Sequence, residues 1–125
     1  MSEIRGRVLV LDEGLSLWGG MDPATGELID AHHPQRGVRL TGRVVVMPSG
    51  RGSSSSASVL AEAVRAGTAP AAILLDAPDM ILSIGSMVAE ELYGVLVPVV
   101  VLGPAARSTI SDGMDLVVAS DGSVG

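Results

Sequence analysis

Five short apolar runs recur along this 125-residue chain and constrain its fold more than any other feature. They are Arg7–Leu11 (RVLVL), Arg43–Pro48 (RVVVMP), Ala71–Asp76 (AAILLD), Val97–Leu102 (VPVVVL) and Asp115–Ser120 (DLVVAS). Each is short and most are rich in β-branched residues, so each is expected to be a strand. Ala71–Asp76 and Val97–Leu102 are apolar almost throughout, the pattern of strands buried on both faces. Helical spacing lies between them. Ala57, Leu60, Ala61 and Val64 fall at i, i+3, i+4 and i+7, which predicts a helix stopping at Gly67, a natural position just past a helix end. PDMILSIGSMVAEELYG predicts a turn and a second helix ending near Gly94. Strands alternating with helices argue an α/β fold.

The first half is less regular. From Asp12 to Gly37 the pattern dissolves into Gly, Pro, Asp, Thr and His, yet it carries Leu15, Leu17, Trp18 and Met21. A loop that long inside a compact domain is usually functional, and its apolar residues indicate that it packs. The asymmetry suggests a mixed β/β/α layering more than a simple doubly wound sheet. Without an internal repeat or a linker, residues 1–125 read as one domain.

Composition narrows the function. Apolar residues make up 47% of the chain, with one Trp, one Tyr and no Phe, so the core is aliphatic. The net charge is −6, there is no lysine, and the eight arginines are scattered. No basic patch of the kind that tracks a phosphate backbone is present, so nucleic acid is not an expected partner. The absence of cysteine excludes disulfides, cysteine nucleophiles and thiolate metal sites within this chain. The stretch MSEIRGRVLVLDEG lacks the features of a signal peptide. The longest apolar run, Val95–Leu102, is interrupted by Pro98 and too short to span a bilayer. A cytoplasmic protein without a membrane partner is the expectation.

Two stretches carry candidate chemistry. In Pro48–Gly67 (PSGRGSSSSASVLAEAVRAG) a strand, a glycine-rich turn and a helix follow one another. Gly50 and Gly52 allow a sharp turn with exposed amides. The serines then fall at the first helical turn, where they can cap free N–H groups. A helix start favours negative charge, and Arg51 adds a planar fork of donors suited to carboxylate or phosphate. This is either a well-capped helix or an anion site in which a serine acts as base or nucleophile, activated by the arginine and the amides. Walker and nucleophile-elbow spacings are absent. The second stretch, Trp18–Gly37, reads as a structured loop with turn formers, or as a loop contacting substrate or another subunit. Adjacent His32 and His33 would point to opposite faces of a strand and cannot easily share a metal. A metal site here would also need Asp22 or Asp30, and none is expected.

GGMDPATGELIDAHHPQRG followed by MPSGRGSSSSASVLAEAVRAGTAPAAILL, and then by ILSIGSMVAEELYGVLVPVV, resembles the aconitase X swivel domain family, the small-subunit part of aconitase X. The resemblance covers roughly Arg7 to Leu116. It implies the swivelling β/β/α fold of the aconitase C-terminal swivel domain. It also implies a hydro-lyase (dehydratase) subunit that is active only with a large subunit, which carries an iron–sulfur cluster as Lewis acid, whereas this chain binds no cofactor itself. Residue by residue, Ser53 corresponds to the family's proton acceptor. Arg51, Gly52 and Ser54 would stabilise the alkoxide or bind a substrate carboxylate, and Asp22, Thr25 and His33 are candidate substrate or subunit contacts. Members acting on mevalonate 5-phosphate often carry GKGSTVGSY where this chain has GRGSSSSAS. The implied substrate is therefore the small hydroxy acid cis-3-hydroxy-L-proline, with mevalonate 5-phosphate as the alternative. A reading from another class is a non-catalytic anion-binding or regulatory module.

Overall fold

A computed structural model describes residues 3–49, 55–119 and 124–125. Strand β1 (Glu3–Val10) leads into a long loop holding α1 (Leu17–Gly20), a single distorted turn. There follow β2 (Val44–Met47), α2 (Ser56–Ala66), β3 (Ala72–Leu75) and α3 (Met80–Tyr93). The chain continues through β4 (Val99–Val101), α4 (Pro104–Ser108) and β5 (Asp115–Ala119).

The strands form one sheet in the order β4-β3-β2-β1-β5. Strands β1 to β4 pair in parallel, with Val8 opposite Val44, Val44 opposite Ala72 and Ile73 opposite Val99. β5 runs antiparallel to β1, from Glu3 opposite Ala119 to Arg7 opposite Asp115. Successive side chains of a strand point to opposite faces, so β2 and β3 each supply two cores. Val45, Met47, Ile73 and Leu75 join Leu60, Val64 and Leu82 of the helices on one face. Val44, Val46, Ala72 and Leu74 join Leu102, Ile110, Leu116 and Val118 on the other. The long loop adds Leu11, Leu15, Leu17, Met21, Leu28 and Leu40 to the helical core, as its apolar content predicted. Within the loop, isolated antiparallel bridges join Met21 to Leu28 and Glu27 to Arg39.

The expected α/β class is the observed one, with three local corrections. β1 begins at Glu3, ahead of the RVLVL run, because its charged first half needs only an antiparallel partner while its alternate residues face solvent. Val97–Leu102 is not a buried strand throughout. β4 is the sheet's edge, with Val99 and Val100 half-buried and Val101 exposed, since among the described residues only β3 pairs with it. α4 has no buried residue and therefore no apolar periodicity to reveal it.

Both long helices end as the glycines predicted, with Gly67 (φ 78°) and Gly94 (φ 70°) in the left-handed region. At its start, α3 is capped by Asp79, whose side chain accepts the Leu82 N–H. α2 and α3 pack against each other at a glycine. A Cβ on Gly85 would lie 2.9 Å from the Ala57 Cα and 3.0 Å from the Ala57 carbonyl oxygen, both backbone atoms that cannot swing aside. In an exposed helix, Gly to Ala is stabilising by about 1 kcal/mol. Here the sign reverses: Gly85→Ala is expected to lower stability by about 1–3 kcal/mol in urea unfolding, because it forces α3 off the first turn of α2. A stabilised variant would refute that close approach.

Candidate functional site

In a largely parallel sheet the strand exits gather at one edge, and ligands bind there. β1 leaves at Leu11, β2 at Pro48, β3 at Asp76 and β4 at Leu102. Backbone bonds continue the pairing past the strands. The Leu11 N–H donates to the Val46 carbonyl (2.7 Å), Asp76 N–H to Pro48 (3.1 Å) and Leu102 N–H to Leu75 (2.8 Å). The Gly-Arg-Gly-Ser segment joins this edge to the start of α2. Gly50, Arg51, Gly52, Ser53 and Ser54 themselves lie outside the described residues, and so do the base and anion contacts expected of Ser53, Arg51, Gly52 and Ser54.

The serines that are described differ from one another. Ser55 occupies the N-cap position of α2 without a side-chain capping hydrogen bond. Ser56 is neither a cap nor a surface residue: it is buried. Its Oγ accepts the Trp18 N–H (3.3 Å) and meets the Ser16 Oγ at 3.3 Å. The serine tract therefore does more than start a helix. Its last member ties the helix to the loop that follows β1, and holds α1 beside the site with the Trp18 side chain largely exposed.

The His-His-Pro-Gln stretch lies in turns, not on a strand. His33 is buried, and both ring nitrogens are engaged. Nδ1 accepts the Gln35 N–H (3.1 Å), which leaves Nε2–H to donate to the Glu13 carbonyl (3.2 Å). Gln35 spans the end of β1: its Nε2 donates to the Val10 carbonyl (2.8 Å) and its Oε1 accepts the Asp12 N–H (2.8 Å). One side-chain amide thus imitates a strand neighbour and fixes the exit of β1. Sequence reasoning did not single out Gln35 or Ser16, because nothing in a polar loop residue announces a distant backbone partner.

Asp22 and Thr25 are placed elsewhere. The Asp22 Oδ1 accepts the Ala24 N–H (2.9 Å) and the Thr25 Oγ1 accepts the Glu27 N–H (3.2 Å), closing a turn on themselves. That turn is pinned by Thr68, whose Oγ1 donates to the Pro23 carbonyl (2.6 Å), and by Thr41, whose Oγ1 donates to the Thr68 carbonyl (2.8 Å). Thr41 precedes β2 and Thr68 precedes β3, so the turn lies at the amino edge of the sheet. His33 sits at the carboxyl edge and Asp22 and Thr25 at the opposite one; the structure does not bring the three together. Gly26 makes the turn possible: its φ is +78°, and a Cβ there would lie 2.0 Å from the Thr41 Oγ1.

Asp12, Glu13, Asp76 and Asp79 follow the strand ends at the carboxyl edge. Arg107 stands there, lining a cavity of about 450 Å³ with Asp76, Leu102, Pro104 and Ser108. Among the described residues no three His, Asp or Glu side chains are grouped to hold a metal ion, and no helix is long and apolar enough to cross a membrane.

The sequence profile of the aconitase X swivel domain matches residues 1–124. Cis-3-hydroxy-L-proline dehydratase of Pseudomonas aeruginosa is 52% identical over 98 residues, which are 78% of this chain and 17% of that protein. The chain thus spans less than a fifth of that relative's length. Phosphomevalonate dehydratase small subunit of Methanopyrus kandleri is 44% identical over 87 residues, 70% of this chain and 64% of that subunit. The crystal structure of Thermococcus kodakaraensis aconitase X in its holo-form superposes with a TM-score of 0.84 at 28% identity, covering 98% of this chain and 88% of that chain.

The two side-chain ties at the edge are testable in the protein alone. Gln35→Ala, which frees two backbone groups at the exit of β1, is expected to lower stability by about 1–3 kcal/mol, and Ser56→Ala by about 1 kcal/mol. Urea denaturation followed by circular dichroism measures both; an unchanged midpoint for Gln35→Ala would contradict its role as a strand surrogate.

Proposed function

Since the chain belongs to the aconitase X swivel domain family, we propose that it is the small subunit of an aconitase X-type hydro-lyase, completing with a large subunit an active site for a small hydroxy acid. The observation that carries this reading is the 52% identity to cis-3-hydroxy-L-proline dehydratase, and that compound is the substrate we assign. A second reading, mevalonate 5-phosphate as substrate, is favoured by the identity to separate small subunits of phosphomevalonate dehydratase. We place the complex in the cytoplasm.

Dehydration takes a proton from a carbon and releases a hydroxyl from its neighbour. In this proposal Ser53 is the base. A serine alkoxide needs positive charge and amide donors around it, which Arg51 and the turn amides at Gly52 and Ser54 supply while they hold a substrate carboxylate. The buried Ser56 and the Gln35 amide are positioning residues: the first ties the start of α2 to α1, and the second fixes the neighbouring exit of β1. An iron–sulfur cluster does not fit the donors of this chain. Such clusters are held by thiolates, and there is no cysteine here. Any cluster and its Lewis acidity belong to the large subunit, while this chain contributes base and anion site.

With the large subunit present, Ser53→Ala is expected to lower kcat for cis-3-hydroxy-L-proline by about 10²–10⁴-fold while the two chains still co-elute in gel filtration. Near-normal turnover would remove the base role. Turnover of mevalonate 5-phosphate with none of cis-3-hydroxy-L-proline would decide for the second substrate.

A further inference from the structure

Helix α3 is apolar on both sides. Leu82, Gly85 and Ala89 face α2 and the sheet and are buried. Met80, Ile84, Met87, Val88 and Leu92 lie on the opposite face, with exposures from 41% at Val88 to 77% at Met80. Their spacing of 4, 3, 1 and 4 residues makes one continuous stripe. Single exposed apolar residues are ordinary, but five on one helix face, with Glu91 the charged residue among them, form a patch of the kind that marks a partner contact. The sheet's free edge carries one further exposed apolar residue. Val101 shares a strand face with Val99, which packs against the same core as the helices, and Val101 is itself exposed.

We propose that this outward face of α3 is the docking surface for the large subunit. The proposal rests on the small-subunit reading and assigns it a place. Three observations select this occupant. In one group of relatives the matched region is a minor part of a far longer polypeptide, and in another it is most of a small subunit. The domain in the first group is thus attached to a large body that must pack against some face of it. Secondly, the stripe starts at Met80, directly after the exit of β3, so a chain lying along it also reaches the carboxyl edge where a shared active site would stand. Thirdly, the charged residues on α3 and at its cap, Asp79, Glu90 and Glu91, are all acidic, and on neighbouring α2 Arg65 is already paired with Glu62 at 2.6 Å. Two copies meeting through this face would bring acid against acid, whereas a partner with an apolar groove and a basic rim complements it.

The test is binding of the aconitase X-type large subunit from the same genome to the parent chain and to Ile84→Glu, Met87→Glu and Arg5→Gln. The last is an exposed position on the amino half of β1, on the side of the sheet next to β5. All three sites are exposed, so unchanged circular dichroism and melting are expected. Each α3 variant should weaken Kd by roughly thirtyfold, and Arg5→Gln should leave it within about twofold. Parental binding undiminished in both α3 variants overturns the surface assignment alone. No binding by the parent chain overturns the assignment together with the small-subunit reading. Self-association of the parent that Met87→Glu abolishes, with the large subunit ignored, assigns the face to a second copy and overturns the proposed occupant.

Discussion

Parallel pairing of β2 between β1 and β3 is the contact on which the rest of the structure depends. It places Val44, Val45, Val46 and Met47 at the centre of the sheet, all buried, with alternate side chains feeding the two cores. Removing apolar surface from water is the dominant favourable term in folding, and a strand buried on both faces contributes to it twice per dipeptide. The same pairing aligns the strand exits, so that one edge collects the loops after β1, β2, β3 and β4. A site at that edge is a consequence of strand direction, whatever its chemistry.

The long loop after β1 has little regular structure and several long-range side-chain hydrogen bonds. It crosses from one edge of the sheet to the other. Its amino-edge turn is fastened by Thr41 and Thr68, and its carboxyl-edge segments by Ser56, His33 and Gln35. Its leucines fill the core beside α2. A segment of this kind cannot rely on a strand ladder to satisfy its backbone, so side chains take that role. The outcome is a set of side-chain ties at the exit of β1 and the start of α2; in the proposed mechanism such neighbours must be in place before the substrate arrives.

Charge separates the roles of the surfaces. Asp12, Glu13, Asp76 and Asp79 follow the strand ends at the carboxyl edge, and the proposed carboxylate-binding donors are arginine and turn amides. α3 presents methionine, isoleucine, valine and leucine with Glu91 among them, a surface suited to a protein partner and unsuited to an anion. In the proposed assembly Ser53 contributes chemistry, and the stripe on α3 holds the body that contributes the remainder.

Much of this was legible in the residues. The apolar runs placed the five strands, the spacing of Ala57, Leu60, Ala61 and Val64 placed α2, and Gly67 and Gly94 placed both helix ends. Ordered motifs identified the family and singled out Ser53. Those properties are local: periodicity, propensity and left-handed turns act within a few residues of chain. The edge position of β4, the burial of Ser56, the strand-like service of Gln35 and the separation of Asp22 and Thr25 from His33 were decided only by tertiary structure. Each depends on which distant backbone comes alongside, and chain distance carries no record of that. The linear pattern determined which elements form and which serine to suspect; packing determined which of the neighbouring polar residues build the frame and which face of the domain is left apolar.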